Sequence, residues 1–257
     1  MRQVRRTTGV FGLRAKPGRQ CRPHPRNLGR HVGLGAEQLA KGEPGSRDGC
    51  KRVACENVQA VAWVPEDDPD LDWDLAIAIA VEWIEERCRE EGAPGLLVTP
   101  SLSPIGPSTL EDFARRHRRT SRRSRRPQAA GPVLCVTATA EDLEFATHLA
   151  RRSSLAVLES SFFPLRGWAA WLGARNLATG EATPKLPATI RDAVERLKYY
   201  GNNAFAERFG KDRARSIVGE LRGRGDFDRD LVLGAVLAAG VSAHGVNNLA
   251  ALIDRVR

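Results

Sequence analysis

The densest chemistry in this chain is Arg115-Arg116-His117-Arg118-Arg119-Thr120-Ser121-Arg122-Arg123-Ser124-Arg125-Arg126, eight arginines in twelve residues. A guanidinium offers a planar fork of donors that fits phosphate oxygens in pairs, and clustered cations gain affinity for a polyanion by releasing its counterions. One or two of these cations suit the end of a helix, where they complement its dipole. The others repel one another, so a partner of opposite sign is expected. Nucleic acid or another polyanion is the leading expectation, with Arg115, Arg116, Arg118, Arg119, Arg122, Arg123, Arg125 and Arg126 as its contacts. The answer can also be internal or come from a second copy, because residues 53–114 hold fourteen acids against Arg87 and Arg89, a net of −12. A solvated loop of like charges is the plain alternative.

A second set of residues points to a different class. Glu66, Asp67, Asp68, Asp70, Asp72 and Asp74 crowd one short stretch. Carboxylates there can hold Mg²⁺ with substrate phosphate completing its shell. A Mg-dependent enzyme handling a nucleotide or phosphoester would then use Asp67, Asp68 or Asp70 on the metal, with Ser101 or Ser103 near phosphate and Arg166 in the same crevice. Helix capping already accounts for Asp72 and Asp74. The segment Pro100–Thr109 has neither G-x-G-x-x-G nor G-x-x-x-x-G-K-[ST], and its three prolines lack the N–H groups a phosphate cradle needs. Ser108 followed by Glu111 reads there as a capping box. No G-x-S-x-G elbow is present, and His117, His148 and His244 stand alone. No catalytic residue is assigned, and without the Mg²⁺ alternative no cofactor is expected.

The elements that must carry these residues alternate. Val58–Val64, Leu96–Thr99, Pro132–Thr137 and Leu155–Glu159 are short apolar runs, as expected of strands buried on both faces. Helices are expected from Asp72 or Asp74 to Gly92, from Thr109 to about Arg119, and from about Glu141 to Arg152. The pattern predicts a Rossmann-like, doubly wound α/β domain over 53–178, with a mostly parallel sheet of about four strands. Its ligand crevice lies outside the strand C-termini. The arginine run falls in a helix-to-strand loop, which belongs on the opposite edge.

Ser160-Ser161-Phe162-Phe163-Pro164 then leads to Arg166, Trp168 and Trp171, rings suited to stacking on a base or to packing a helical region onto the sheet. Residues 179–187 read as a linker. Residues 188–257 read as a small all-helical bundle over about 188–200, 211–222, 228–239 and 243–256. Tyr199-Tyr200-Gly201-Asn202-Asn203, after Lys198 and before Arg208, Lys211 and Arg213, is a further place for a basic face. An interaction or self-association bundle is the alternative, so a partner-binding scaffold is a third expectation.

Residues 1–52 hold ten Arg and three Lys against Glu37, Glu43 and Asp48, a net of +10 in a chain of net +9. The basic balance therefore belongs to the leader alone. Rich in Gly and Pro and without apolar periodicity, it is expected to be disordered. Arg5-Arg6-Thr7-Thr8 begins a twin-arginine pattern, but Arg14, Lys16, Arg19 and Arg22 occupy the place of its apolar stretch. Met1 is the sole methionine, and Val53 precedes the first ordered pattern. In a GC-rich, bacterial gene a GTG start there would make the leader an over-extended frame, and that origin or an inert tail is expected. Cys21, Cys50, Cys55, Cys88 and Cys135 show no framework spacing, and Cys21 and His24 lack a second pair at zinc-finger spacing. No run approaches the ~18 apolar residues of a membrane span. A reduced, cytoplasmic setting is expected.

Overall fold

Short runs of Val, Leu and Ala make the central strands, because a parallel sheet covered on both faces must be apolar on both. The computed structural model describes residues 58–66, 71–103, 108–124, 131–136 and 138–255. Among these described residues six strands are formed: β1 (Ala60–Val64), β2 (Leu96–Val98), β3 (Arg118–Thr120), β4 (Val133–Cys135), β5 (Ser154–Leu158) and β6 (Arg175–Asn176). They pair in parallel in the order β3-β2-β4-β5-β1-β6. With helices on both faces this is the doubly wound, Rossmann-like fold expected.

The four expected strands are β1, β2, β4 and β5, and two more flank them. Both extra strands are edges, and both are polar: Arg118-Arg119-Thr120 and Arg175-Asn176. An edge strand needs only one row of backbone bonds, and charge on it discourages pairing with another sheet. Hydrophobic pattern cannot reveal such a strand. One expectation is corrected by this. The second helix does not reach Arg119 but ends at Arg116, and Leu96↔Arg118, Leu97↔Arg119 and Val98↔Thr120 pair in register. The arginine run is therefore not one helix-to-strand loop. The expected disordered leader, residues 1–52, lies outside the described residues.

Alternation along each strand divides the core in two. Leu97, Leu134, Val136, Ala156 and Leu158 face α1 (Trp73–Glu91) and α2 (Ser108–Arg116). Leu96, Val98, Val133, Cys135, Leu155 and Val157 face the opposite cluster. That cluster is completed by α3 (Ala140–Leu149), α4 (Arg166–Leu172), α5 (Ala188–Tyr200), α6 (Arg208–Arg224), α7 (Arg229–Ala238) and α8 (Ala243–Arg255). The period of two is what lets one strand serve two layers. Helix α1 starts at Asp72, whose Oδ1 accepts from the Leu75 amide at 2.8 Å, and ends at Gly92 with φ of 61°. Both termini follow the expected capping chemistry.

The C-terminal helices dock through a glycine crossing. A Cβ on Gly167 in α4 would sit 1.9 Å from the Leu231 carbonyl oxygen, and one on Gly234 in α7 would sit 2.8 Å from the Trp168 amide nitrogen. Helix α7 is buried from Val232 through Ala238, as befits the middle of a layer. Trp168 lies fully buried beside this crossing, and Phe163 is buried in the same cluster, so these rings pack rather than face solvent. Residues 179–187 return along the sheet: Trp63 Nε1 donates to Thr183 Oγ1 (2.8 Å), which donates to the Ala174 carbonyl (2.6 Å).

Adding a methyl at the crossing must push the two helix backbones apart. Gly167→Ala is expected to destabilise the protein by about 1–3 kcal/mol in urea unfolding. Gly219→Ala, in open space on α6, should instead be stabilising by roughly 0.5–1 kcal/mol. Equal behaviour of the two variants would show that the close approach does not hold α7 in place.

Candidate functional site

The connections out of β2 and β4 diverge. The chain leaves β2 through α2 toward β3 on one side, and leaves β4 through α3 toward β5 on the other. Neighbouring strands whose crossovers separate in this way open a crevice at their C-terminal ends, the usual ligand position in an open α/β sheet. Thr99, Ser101 and Ser103 follow β2, Ala138 and Thr139 follow β4, and Ser121–Ser124 follows β3 on the same edge. Because Arg118 and Arg119 form a strand, the next two arginines emerge beside the crevice. The expected position on the opposite edge is corrected accordingly.

Ser121–Ser124 is a tight turn. The Ser124 amide donates to the Ser121 carbonyl at 2.9 Å, and the two hydroxyls lie 2.8 Å apart. Arg122 and Arg123 occupy its corners, both exposed. Arg122 Nε lies 3.6 Å from Asp142 Oδ1, a carboxylate whose side chain is only 4% exposed. Asp142 belongs to the capping box of α3: Thr139 Oγ1 accepts from the Asp142 amide, while Asp142 Oδ2 accepts from the Thr139 hydroxyl (2.8 Å) and amide (3.4 Å). Burial raises the neighbouring Glu141, but its own backbone N–H, Thr139, Asn247 and the charge of Arg122 outweigh this and hold that carboxyl below its ordinary range. The N-terminus of α3 is thus already met by this chain's own acids.

Arg119 points along the sheet edge and ties down the loop after β2. Its Nε donates to Thr99 Oγ1 at 3.2 Å, and its Nη2 donates to the Ser101 and Ser103 carbonyls at 2.9 and 2.5 Å. Burial lowers its pKa, with Glu111 acting the other way, yet an arginine remains cationic. Arg116 lies 2.9 Å from Glu85, and Arg115 pairs with Asp112. His117 Nδ1 accepts from the Gly95 amide at 3.0 Å, which leaves the proton of the neutral ring on Nε2, 3.1 Å from Glu85. The side chains of Arg118 and Arg123 have no ion pair or hydrogen bond among the described residues. Arg125 and Arg126 lie outside the described residues.

The crevice residues expected to act together divide. Asp67, Asp68 and Asp70 lie outside the described residues. Ser101 and Ser103 contribute their carbonyls to Arg119. Arg166 pairs with Asp228, whose Oδ1 caps α7 by accepting from the Leu231 amide at 2.9 Å, so Arg166 fastens α4 to α7. Among the described residues no group of three His, Cys, Asp or Glu side chains could hold a metal ion, and no helix is long and apolar enough to cross a membrane. Three residues of the site have a partial or absent sequence signal. Thr139-x-x-Asp142 is a visible capping pattern. Thr99, buried at the mouth of the crevice, has none.

The described thiols are placed for packing. Burial, with Glu85 and Glu91 adding to it, pushes Cys88 up to about 11, and burial with Asp142 pushes Cys135 up further. An unfolded thiol ionises near ~8.5, so in the window from there to about 11 the unfolded state binds fewer protons and stability falls as pH rises. Cys88→Ala is expected to remove some of that decline in denaturation measured from about pH 7 to about pH 10.5. For the loop after β2, Arg119→Met should speed amide exchange at residues 101–103 by removing charged hydrogen bonds worth about 1.5–3 kcal/mol each. Unchanged exchange would mean that the loop is held without Arg119.

Comparison with models of protein families, with curated proteins and with solved structures finds no match to this chain.

Proposed function

We propose that this chain binds nucleic acid or a similar polyanion along the β3 edge, with Arg118, Arg122 and Arg123 as the phosphate contacts. The observation that carries the proposal is the pairing pattern of the run. Arg115, Arg116 and Arg119 are engaged within the fold, whereas Arg118 and Arg123 are exposed cations with no partner among the described residues. Arg122 is half-exposed over a buried acid, so its outer face also meets solvent. An edge strand is a sound base for such a row, because its backbone is fixed on one side by β2 while Arg118 on it is exposed. The contacts are to phosphate and read no base, so affinity rather than sequence preference is their output.

The test is fluorescence-polarisation titration of the full chain against labelled duplex DNA, single-stranded DNA and RNA at several salt concentrations. Replacing Arg118 and Arg123 with Gln should weaken binding to similar extents across sequences. It should also flatten the plot of log affinity against log salt by roughly 0.9 for each duplex phosphate that is no longer neutralised. The basic leader contributes equally to both proteins, so the difference reports on the edge. Identical affinity and slope in the variant would overturn the proposal.

A further inference from the structure

Helix α5 ends in the turn Gly201–Asn203, and α6 starts after it; this corner holds a groove of about 590 Å³. Its lining includes Lys198, Tyr199, Tyr200, Asn202, Asn203 and Phe209. Two of these rings are far more exposed than aromatic side chains usually are: Tyr199 at 76% and Phe209 at 61%. Tyr200 stands edge-on to both, with ring centroids 5.1 Å from Tyr199 and 5.8 Å from Phe209. The Arg213 guanidinium lies over Phe209 at 5.2 Å and Tyr200 at 5.9 Å.

The corner is rigid beneath these rings. Ala204 and Phe205 both hold a φ of 55°, a conformation L residues seldom adopt. Phe205 is fully buried under Gly201, where a Cβ would meet its ring at 2.7 Å. Asn248 of α8 donates to the Ala204 carbonyl at 2.9 Å, and a Cβ on Gly210 would approach the Tyr200 carbonyl to 3.2 Å. These contacts hold both residues in that conformation. A fixed platform also loses little entropy when something binds to it.

We infer that this corner is a stacking platform for the unpaired bases of single-stranded nucleic acid, with Tyr199 and Phe209 as the stacking rings. Exposed rings interleaved with cations match a ligand that alternates planar faces with negative charge. Lys198 and Arg208 are held only loosely by acids, at 3.7 Å from Glu195 and 3.6 Å from Asp212, while Lys211 and Arg213 have no acid partner among the described residues. Glu195, Glu207 and Asp212 keep the local field weak, so the rings carry the affinity and its salt dependence at this corner is shallow. The platform rests on the reading of the chain as a nucleic-acid binder, and it gives that binder a preference for single strands over duplex.

The two surfaces separate in one experiment. A labelled oligo(dT) strand and a duplex of equal length are titrated over a salt series with the full chain and with Tyr199→Ala/Phe209→Ala. Both side chains are exposed and lose only their edge contacts to Tyr200 and the Arg213 stack, so the variant should still unfold cooperatively, at a denaturant midpoint slightly below that of the wild type. The expected result is a loss of about 5- to 100-fold for the single strand, little change for the duplex, and an unaltered salt slope. Tyr199→Trp should retain or strengthen single-strand binding. Single-strand affinity unchanged in the double variant overturns the platform, whatever the arginine variant shows. So does sedimentation of the wild type as a dimer that the double variant dissociates, which would give the corner to a second copy of the chain. An unchanged slope in Arg118→Gln/Arg123→Gln with single-strand binding lost in the ring variant would remove the edge and leave the platform.

Discussion

A parallel sheet with two apolar faces stands only if both are covered, and here the cover on one face depends on α7 lying directly against the backbone of α4. Gly167 and Gly234 make that approach possible, each occupying a point where a methyl group would meet main chain. Trp168 fills the space beside the crossing, and α5, α6 and α8 build outward from it. Among the described residues, the helices on the other face are α1 and α2. The C-terminal helices therefore belong to the sheet's own core.

Charge is arranged on this frame by the same economy of position. The acids of α1 and α2 and the cap of α3 lie within reach of the run, so Glu85, Asp112 and Asp142 each answer one of its arginines. Arg119 uses its charge on three oxygens of the loop after β2 and joins that loop to the edge. A run that looks uniform as letters thus holds side chains of different standing. Some are bound into the fold, and Arg118 and Arg123 are turned to solvent. Surface pairs of this kind add little stability singly. Their consequence is to fix which cations remain for a partner.

Much of the fold is legible from composition and spacing. The apolar runs place β1, β2, β4 and β5, and Asp72 and Gly92 mark the ends of α1, because burial and capping act on residues close in sequence. The C-terminal helices follow from glycine punctuation and helical spacing. The edge strands β3 and β6 are invisible at that level, since nothing about Arg118-Arg119-Thr120 or Arg175-Asn176 favours a strand apart from a neighbour with free backbone groups. Hydrophobic pattern alone therefore puts the run in a loop on the opposite edge of the sheet.

The site divides along the same line. The α/β class, the helical end, the density of arginine in residues 115–126 and the aromatic pair of residues beside Gly201 can all be read from the chain as letters. Residue type and periodicity are local quantities, which is why they are legible there. Folding alone sets which arginines are paired, brings Arg122 and Arg123 out at the crevice, and leaves Tyr199 and Phe209 exposed on a rigid corner. Those outcomes depend on what packs opposite each residue from tens of positions away, as Glu85 does for Arg116 and Asn248 for Ala204. Coulomb attraction and packing act through space, and the chain's order carries no record of them until it folds.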